Sequence, residues 1–410
     1  MINSSLCIRC KGKLLCGLKH CPVLEKYNSF RKTTSLIHGK EFSGSSPPSV
    51  FVSWSNYPNV SIAPLAPPMH SENNFVFDSP EEWYGMPLEE IVSMRQQLIQ
   101  SNSKANVFSA SNPSYKLMNM QEIAMAERPV DLEIELKKKP VARLSFHESI
   151  APIGPSAPLE KFSLTSNPNI PQKIDYLVSD TAVKSAVALS ELYDAGFQVS
   201  TLYKLLSAGT LGVKKNRRLV PTRWSITATD DTLGKQLVEK IKDYSQISEF
   251  QLFHSNYLDN DFWVLLTPDS WAFENLECWL PGGIWTEQAK EFHIVQDHEF
   301  YSGRKSYASN VEGAYYAARL GVLEYLIKIR KQASAIVFRE IGQGYSQPIG
   351  VWQIRENVRH SFDFKPLVFY ELPMVFEFLK KKLKVPFNSY LKESKLLDAL
   401  RHQKKLFEFA

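Results

Sequence analysis

Asn310-Val-Glu-Gly-Ala-Tyr315-Tyr-Ala-Ala318-Arg-Leu-Gly-Val322-Leu-Glu-Tyr325-Leu326-Ile-Lys-Ile329-Arg-Lys331, followed after three residues by Ala335-Ile-Val-Phe-Arg-Glu340, sets a helix and a strand next to each other in the chain. Tyr315, Ala318, Val322, Tyr325, Leu326 and Ile329 recur at helical spacing and mark one apolar face. The run that follows is short, apolar and β-branched, as a buried strand is. Reading outward gives further strands at 141–147, 223–229, 248–254, 263–266 and 350–354. Helices fall at 181–195 and 200–208, each closed by a glycine, and at 232–244. The order is neither a regular βαβ series nor a run of hairpins, so the expected class is α+β, a mixed-sheet body with helices.

Closer to the start, residues 51–54 alternate like a strand, and Ser79-Pro80-Glu81-Glu82 has the form of a capped helix start. Another start at Pro87 leads into an apolar face at Leu88, Ile91, Val92, Leu98 and Ile99. Residues 40–50 form a Ser/Pro/Gly linker, and the Asn/Ser-rich residues 101–120 read as an exposed loop. The expected organisation is a small cysteine module over 1–40, a body over 41–375 and a basic helical tail over 376–410.

The chain has 410 residues, of which 44% are hydrophobic, 12% aromatic and 22% charged, enough apolar mass to exclude a disordered or collagen-like protein. No run of about 18 apolar residues can cross a membrane, and the N-terminus lacks the pattern of a secretory signal. A cytoplasmic, nucleoid-associated protein is the expectation. The net charge of +5 is unevenly spread. Residues 1–40 hold eight basic side chains and one acid, and residues 376–410 hold nine and four. Basic ends on an acidic body suit a protein that meets a polyanion through its termini, although solvated tails would have the same composition.

Four of the five cysteines, Cys7, Cys10, Cys16 and Cys21, follow the pattern C-x2-C-x5-C-x4-C. Four thiolates at that spacing can close a tetrahedral structural zinc site with no open position. Arg9, Lys11, Lys13 and Lys19 are placed to offset its net negative charge. An iron–sulfur cluster would use the same ligands; two disulfides would be unusual in a reducing compartment. Cys278, among aromatics, reads as a small buried apolar residue.

No phosphate loop, dinucleotide fingerprint, H-E-x-x-H or G-x-S-x-G occurs. The nearest catalytic constellation is Asp297, His298, Tyr301 and Arg304, with Glu299 and Lys305 beside them. It offers acids, an imidazole and cations for acid–base work on a phosphate-bearing substrate, or else a solvated loop whose acids pair with its own bases. Lys214, Lys215, Arg217, Arg218, Arg223 and Trp224 suit phosphate contact and base stacking, with Lys305 as a further cation. The alternative there is an exposed connector with Trp224 in the core.

The chain ends Gln403-Lys404-Lys405-Leu406-Phe407-Glu408-Phe409-Ala410. Gln403, Leu406 and Phe409 resemble the peptide that docks on the DNA sliding clamp (PCNA), in which a single helical turn sets an aliphatic and an aromatic anchor in one groove. The second aromatic of that motif is replaced by Ala410, and Phe407 offers apolar contact one register away. The four-cysteine segment, Trp54-Ser-Asn-Tyr57-Pro58-Asn-Val60, Pro221-Thr-Arg223-Trp224-Ser225, Gly303-Arg304-Lys305-Ser-Tyr307 and the C-terminal peptide together resemble the archaeal Nre family of DNA repair proteins. That resemblance implies a repair role and association with the clamp through Gln403, Leu406, Phe407 and Phe409. It implies no particular reaction. Two functions therefore stay open: a repair factor that contacts DNA through its zinc module and basic patches, or an enzyme of nuclease or ADP-ribosyl/nucleotidyl transfer type acting on DNA or a nucleotide.

Overall fold

The computed structural model describes residues 10, 13–15, 21–37, 39–140, 153–283, 286 and 289–402. Cys7, Cys16, the expected strand at 141–147 and the whole C-terminal peptide from Gln403 lie outside the described residues. The chain is α+β, with two six-stranded mixed sheets, and divides into two compact units. One holds the described residues up to Leu233 together with Pro348–Gly350. The other holds Gly234–Gln347 and the chain from Val351 onward.

In the N-terminal unit the sheet order is β1-β5-β6-β4-β3-β2. Its strands are β1 (Glu41–Ser46), β2 (Val50–Val52), β3 (Asn59–Ala66), β4 (Ile99–Asn106), β5 (Val130–Leu136) and β6 (Ser156–Leu164). All neighbours are antiparallel except β4 and β6. β5 alternates apolar and acidic residues, burying Val130, Leu132, Ile134 and Leu136 and turning Glu133 and Glu135 outward, the signature of a strand with one wet face. Helix α1 (Pro22–Ser35) precedes the sheet, and α2 (Leu88–Gln97) follows the Pro87 start as expected. In α3 (Tyr115–Met125), Leu117, Met120, Ile123 and Ala124 enter the core with Val52, Val60, Ile62 and Ile134. Helices α4 (Gln172–Ser179), α5 (Ser185–Asp194) and α6 (Val199–Ser207) complete the unit, and the division falls inside α7 (Thr222–Ile241).

Several expectations fail here for identifiable reasons. The 40–50 linker is largely β1, whose glycine is a packing requirement: a Cβ on Gly44 would lie 1.9 Å from the Pro67 carbonyl oxygen. The expected loop at 101–120 holds most of β4, a one-and-a-half-turn 3₁₀ helix and the start of α3. Its Ser and Asn side chains serve the sheet, as where Ser61 donates to Asn102 Oδ1 at 3.0 Å. Pro80–Glu82 makes only a single 3₁₀ turn with no side-chain cap, and Glu81 instead accepts the Ser200 N–H (2.9 Å) at the start of α6. The expected strand at 223–229 is the first turns of α7. Its β-branched residues suggested alternation, yet Ser225, Thr229, Leu233, Leu237 and Ile241 are buried at the helical period.

The C-terminal unit has sheet order β10-β9-β11-β8-β7-β12. Its strands are β7 (Phe250–Tyr257), β8 (Asn260–Thr267), β9 (Ala272–Trp279), β10 (His293–Glu299), β11 (Ser334–Ile341) and β12 (Leu367–Phe369). Only β9 and β11 run parallel. One face carries α8 (Gly313–Ile329) and α9 (Trp352–Ser361), and the other carries α10 (Leu372–Lys382), α11 (Phe387–Glu393) and α12 (Lys395–His402). The expected strand at 350–354 instead runs into the start of α9 at Trp352, because five residues with Val, Trp and Ile fit either period until the residues beyond them are counted. Far from forming a tail, the chain from Leu372 to Leu397 is part of this core. Val375, Leu379, Val385, Phe387, Tyr390, Leu396 and Leu397 pack on Leu252, Leu276, Ile336 and Phe338, each such burial contributing roughly 1.5–3 kcal/mol. Among the described residues no helix is long and apolar enough to cross a membrane.

Candidate functional site

Three loops of the N-terminal unit meet at one surface. The turn between β2 and β3 is tied down at both ends: Val52 N–H donates to Thr222 Oγ1 (2.9 Å), and the Pro58 carbonyl accepts from Val107 N–H (2.9 Å). Leu219 N–H donates in turn to the Val107 carbonyl (2.9 Å), which brings the 214–224 segment alongside. Backbone pairing of this kind brings the segments that carry Tyr57, Phe108 and Trp224 side by side. Tyr57 and Trp224 lie 5.3 Å apart with their planes tilted by 53°, and the Arg218 guanidinium sits 4.5 Å above the Phe108 ring. Tyr57 is 52% exposed, Trp224 46% and Phe108 53%. Trp54, in the same turn as Tyr57, is also exposed.

The basic residues of this segment have different fates. Lys214 and Lys215 stand exposed on a single 3₁₀ turn, Lys214–Asn216, and Arg223 is exposed in the first turn of α7. Arg218 is half-buried, donating to the carbonyls of Lys215 (3.0 Å) and Arg217 (2.7 Å). Arg217 is committed to the fold: Nε donates to the Gly212 carbonyl (2.9 Å) and Nη2 to that of Val178 (2.6 Å). Burial lowers its pKa against the pull of Asp180. Sequence reasoning found the cations and Trp224 but not Tyr57 and Phe108, although aromatics set in Asn/Ser/Pro turns were available as a signal.

The second constellation lies in the C-terminal unit. An open cleft of about 340 Å³ is lined by Asp297, His298, Glu299, Arg304 and Lys305, so the structure gathers these five side chains of the expected set and places Tyr301 outside the cleft. Tyr301 faces Lys242, whose ammonium lies 5.0 Å from its ring. Asp297 is buried: Oδ1 accepts from Arg304 Nη2 (3.0 Å), and Oδ2 accepts the Asn310 and Val311 N–H groups (2.8 Å each). Arg304 also donates to the carbonyls of His298 (2.7 Å), Tyr307 (3.1 Å) and Ser306 (3.3 Å), and stacks over Tyr315. This pair therefore fastens the 300–311 loop to β10. His298 is half-buried beside Gln296 Oε1 (3.1 Å). Burial, then the charges of Arg304 and Lys395, hold its pKa down against Asp297, which leaves a neutral imidazole able to accept a proton.

Several ion pairs of this unit are internal. Glu299 accepts from Trp271 Nε1 (3.0 Å) and pairs with Arg319 (2.8 Å), while Arg339 pairs with Glu277 (2.5 Å) and donates to Asn260 Oδ1 (2.7 Å). On the opposite face Glu340 accepts the N–H groups of Lys384 and Val385 and the Tyr390 hydroxyl. Glu274 accepts from Ser394 Oγ and from the N–H groups of Lys395 (2.7 Å) and Leu396 (3.3 Å), capping α12. Burial pushes Glu274 up to about 7 in spite of those donors. Cys278, also buried, is pushed up to about 12 and is no nucleophile.

An α+β chain with a basic aromatic surface on one unit and a pinned polar cleft on the other is what the fold and sites define. Residues 15–286 match the family "Archaeal Nre, N-terminal" and residues 299–409 match "Archaeal Nre, C-terminal". The chain is 38% identical to the DNA repair protein NreB of Archaeoglobus fulgidus, over 98% of this chain and 99% of that protein. It is 36% identical to the DNA repair protein NreA of Haloferax volcanii, over 87% and 86%, and 39% identical to the NreA of Archaeoglobus fulgidus, over 88% and 90%. The chain belongs to the archaeal Nre family. No solved structure matches it.

Proposed function

We propose that this protein is a DNA repair factor that grips DNA through the surface around Lys214, Lys215, Arg218, Arg223 and Trp224 and is recruited to the sliding clamp by its C-terminal peptide. The repair role follows the names of its relatives. The observation that carries the DNA contact is the pairing of exposed cations with half-exposed rings on one hydrogen-bonded surface, the chemistry by which proteins hold phosphates and bases together. Recruitment rests on Gln403, Leu406, Phe407 and Phe409. Such a protein works in the cytoplasm, at the nucleoid.

A structural zinc at Cys7, Cys10, Cys16 and Cys21 is part of the same proposal. Cys10 is buried, its carbonyl accepts the Lys13 N–H (2.8 Å), and its Sγ accepts the Leu15 N–H (3.2 Å). An amide aimed at sulfur favours the thiolate that a metal needs. Cys21 stands at the N-cap of α1. When bound, the ion would knot the head of the chain and carry no reaction.

An enzymatic reading has one observation in its favour, the neutral His298 on an open cleft. Against it, Asp297 and Arg304 are engaged with each other and with the backbone of the 300–311 loop. Titrating labelled DNA with the whole protein at low salt tests the DNA contact: binding is expected, weakened by Lys214→Ala with Lys215→Ala, and no binding to DNA of any form refutes it. Leu406→Ala with Phe409→Ala is expected to abolish clamp binding without lowering the melting temperature. Elemental analysis is expected to find one zinc per chain, lost in Cys7→Ser with Cys10→Ser.

A further inference from the structure

We infer that the surface formed by Tyr57, Phe108 and Trp224 takes single-stranded nucleic acid, with unpaired bases stacked on the rings and phosphates on Lys214, Lys215 and Arg223. This rests on the DNA-binding reading above and narrows it from DNA at large to strand that is not base-paired.

Duplex DNA keeps its base faces stacked inside the helix and offers a protein its backbone and groove edges. A surface that reads duplex therefore needs cations and hydrogen-bonding groups on a helix or ribbon that enters a groove. This one presents flat rings on short turns. Half of the surface of Tyr57, Trp224 and Phe108 is open to solvent, and open aromatic faces flanked by cations are what unpaired bases occupy.

The rings are also held ready. Tyr57 follows Asn56, which adopts a left-handed conformation (φ 61°), and the turn is closed by the Asn59 N–H donating to the Asn56 carbonyl (2.8 Å). Trp224 is fixed by its own N–H donating to the Pro221 carbonyl (2.8 Å) at the head of the twenty-residue α7. Phe108 stands on a 3₁₀ helix, Val107–Ser111, whose Asn106 side chain accepts the Phe108 N–H (3.0 Å). Rings on pinned backbone lose little freedom when a base docks, so stacking is converted into affinity with small ordering loss. The tilt of 53° between Tyr57 and Trp224 means that their outer faces cannot serve one flat stack. Successive bases must splay, which a flexible single strand does and a duplex resists. Arg218, 4.5 Å over the Phe108 ring, extends the platform, since a guanidinium plane also stacks on a base.

The test compares an oligothymidine of about 20 nucleotides with a duplex of the same length, by fluorescence anisotropy on the whole protein. Tighter binding of the single strand is expected. Tyr57→Ala with Trp224→Ala is expected to weaken single-strand binding at least about five-fold per ring, with the dependence on salt unchanged, because no charge is removed. Tyr57→Phe with Trp224→Phe keeps the stacking faces and is expected to retain most of the affinity; an unchanged melting temperature in both double variants confirms that the fold is intact. Equal affinity for the two forms, with both unaffected by ring removal, overturns the inference while the DNA-binding reading stands. Failure to bind either form overturns both.

Discussion

The two units use the same charged side chains in opposite ways. In the N-terminal unit Lys214, Lys215 and Arg223 are open to water, next to half-exposed rings. In the C-terminal unit Arg304, Arg319 and Arg339 each face a carboxylate, with no more than 15% of any of the six side chains exposed. A cation that faces a buried carboxylate has its field cancelled at close range, whereas Lys214 and Lys215, exposed on their 3₁₀ turn, keep theirs to offer a ligand. Counting basic residues along the chain gives these regions the same weight. Burial separates them: the first is a contact surface, and the second is a framework that positions loops and helices.

The sharpest way to break that comparison is to remove one member of a buried pair. Glu299→Ala removes the buried carboxylate that the Arg319 guanidinium meets at 2.8 Å, and breaking a buried pair on one side costs about 3–5 kcal/mol. A loss of that size is expected in urea unfolding. Removing both charges together, Glu299→Leu with Arg319→Met, is expected to cost less than Glu299→Ala alone. DNA affinity of the folded fraction should not change. A loss below about 1 kcal/mol in Glu299→Ala would mean that the internal pairs do not hold the C-terminal unit together.

The same division explains how much of the molecule could be read in advance. Long periodic elements were legible: α8 stands where Tyr315, Val322 and Leu326 placed it, and β11 runs where 335–340 indicated. Segments whose composition answers to tertiary neighbours were not. β1 looks like a linker because its Gly and Ser residues lie against the Pro67–Met69 backbone. The head of α7 looks like a strand because β-branched residues are tolerated in a helix that packs well. At the sites, residue types were legible and their commitments were not. Asp297 and Arg304 have the composition of a catalytic pair, and only the fold reveals that the loop between Phe300 and Val311 uses them up. Arg217 and Arg218 are neighbours of identical chemistry, and nothing in their order shows that only the second also lies over a ring.

A second, smaller effect sharpens the framework half of the comparison. Glu274 caps α12 from inside the core and titrates near 7, against an ordinary value of 4.5. Because the folded protein holds this proton more tightly than the unfolded chain, the contribution to stability is complete below about pH 4.5 and is lost as pH rises through about 7. Over that window the loss amounts to roughly 3 kcal/mol. Urea unfolding of the wild type should therefore weaken from pH 5 to pH 8 relative to Glu274→Gln, which keeps an acceptor but cannot ionise. Glu340, also raised by burial, contributes in the same sense to both proteins and cancels in the difference. Parallel pH profiles for the two would place the Glu274 carboxyl in water, and the docking of α12 would need another cause.

The finest comparison lies within one dipeptide. Arg217 spends its guanidinium on the carbonyls of Gly212 and Val178, so Arg217→Ala is expected to destabilise the N-terminal unit by about 1–2 kcal/mol, the lower range for charge-assisted bonds at a half-buried position, and to leave the affinity of the folded protein for single strands nearly unchanged. Arg218 lies over Phe108 and faces the ligand side. Arg218→Ala is expected to leave stability within about 0.5 kcal/mol and to weaken single-strand binding by about 1 kcal/mol, with a shallower salt dependence because one positive charge leaves the surface. Arg218→Lys retains the charge but not the flat face, so it should restore the salt dependence without restoring all the affinity. If the two alanine variants exchanged these phenotypes, the surface would have been assigned to the wrong arginine, and the ring of Phe108 would have to be read as packing instead of platform.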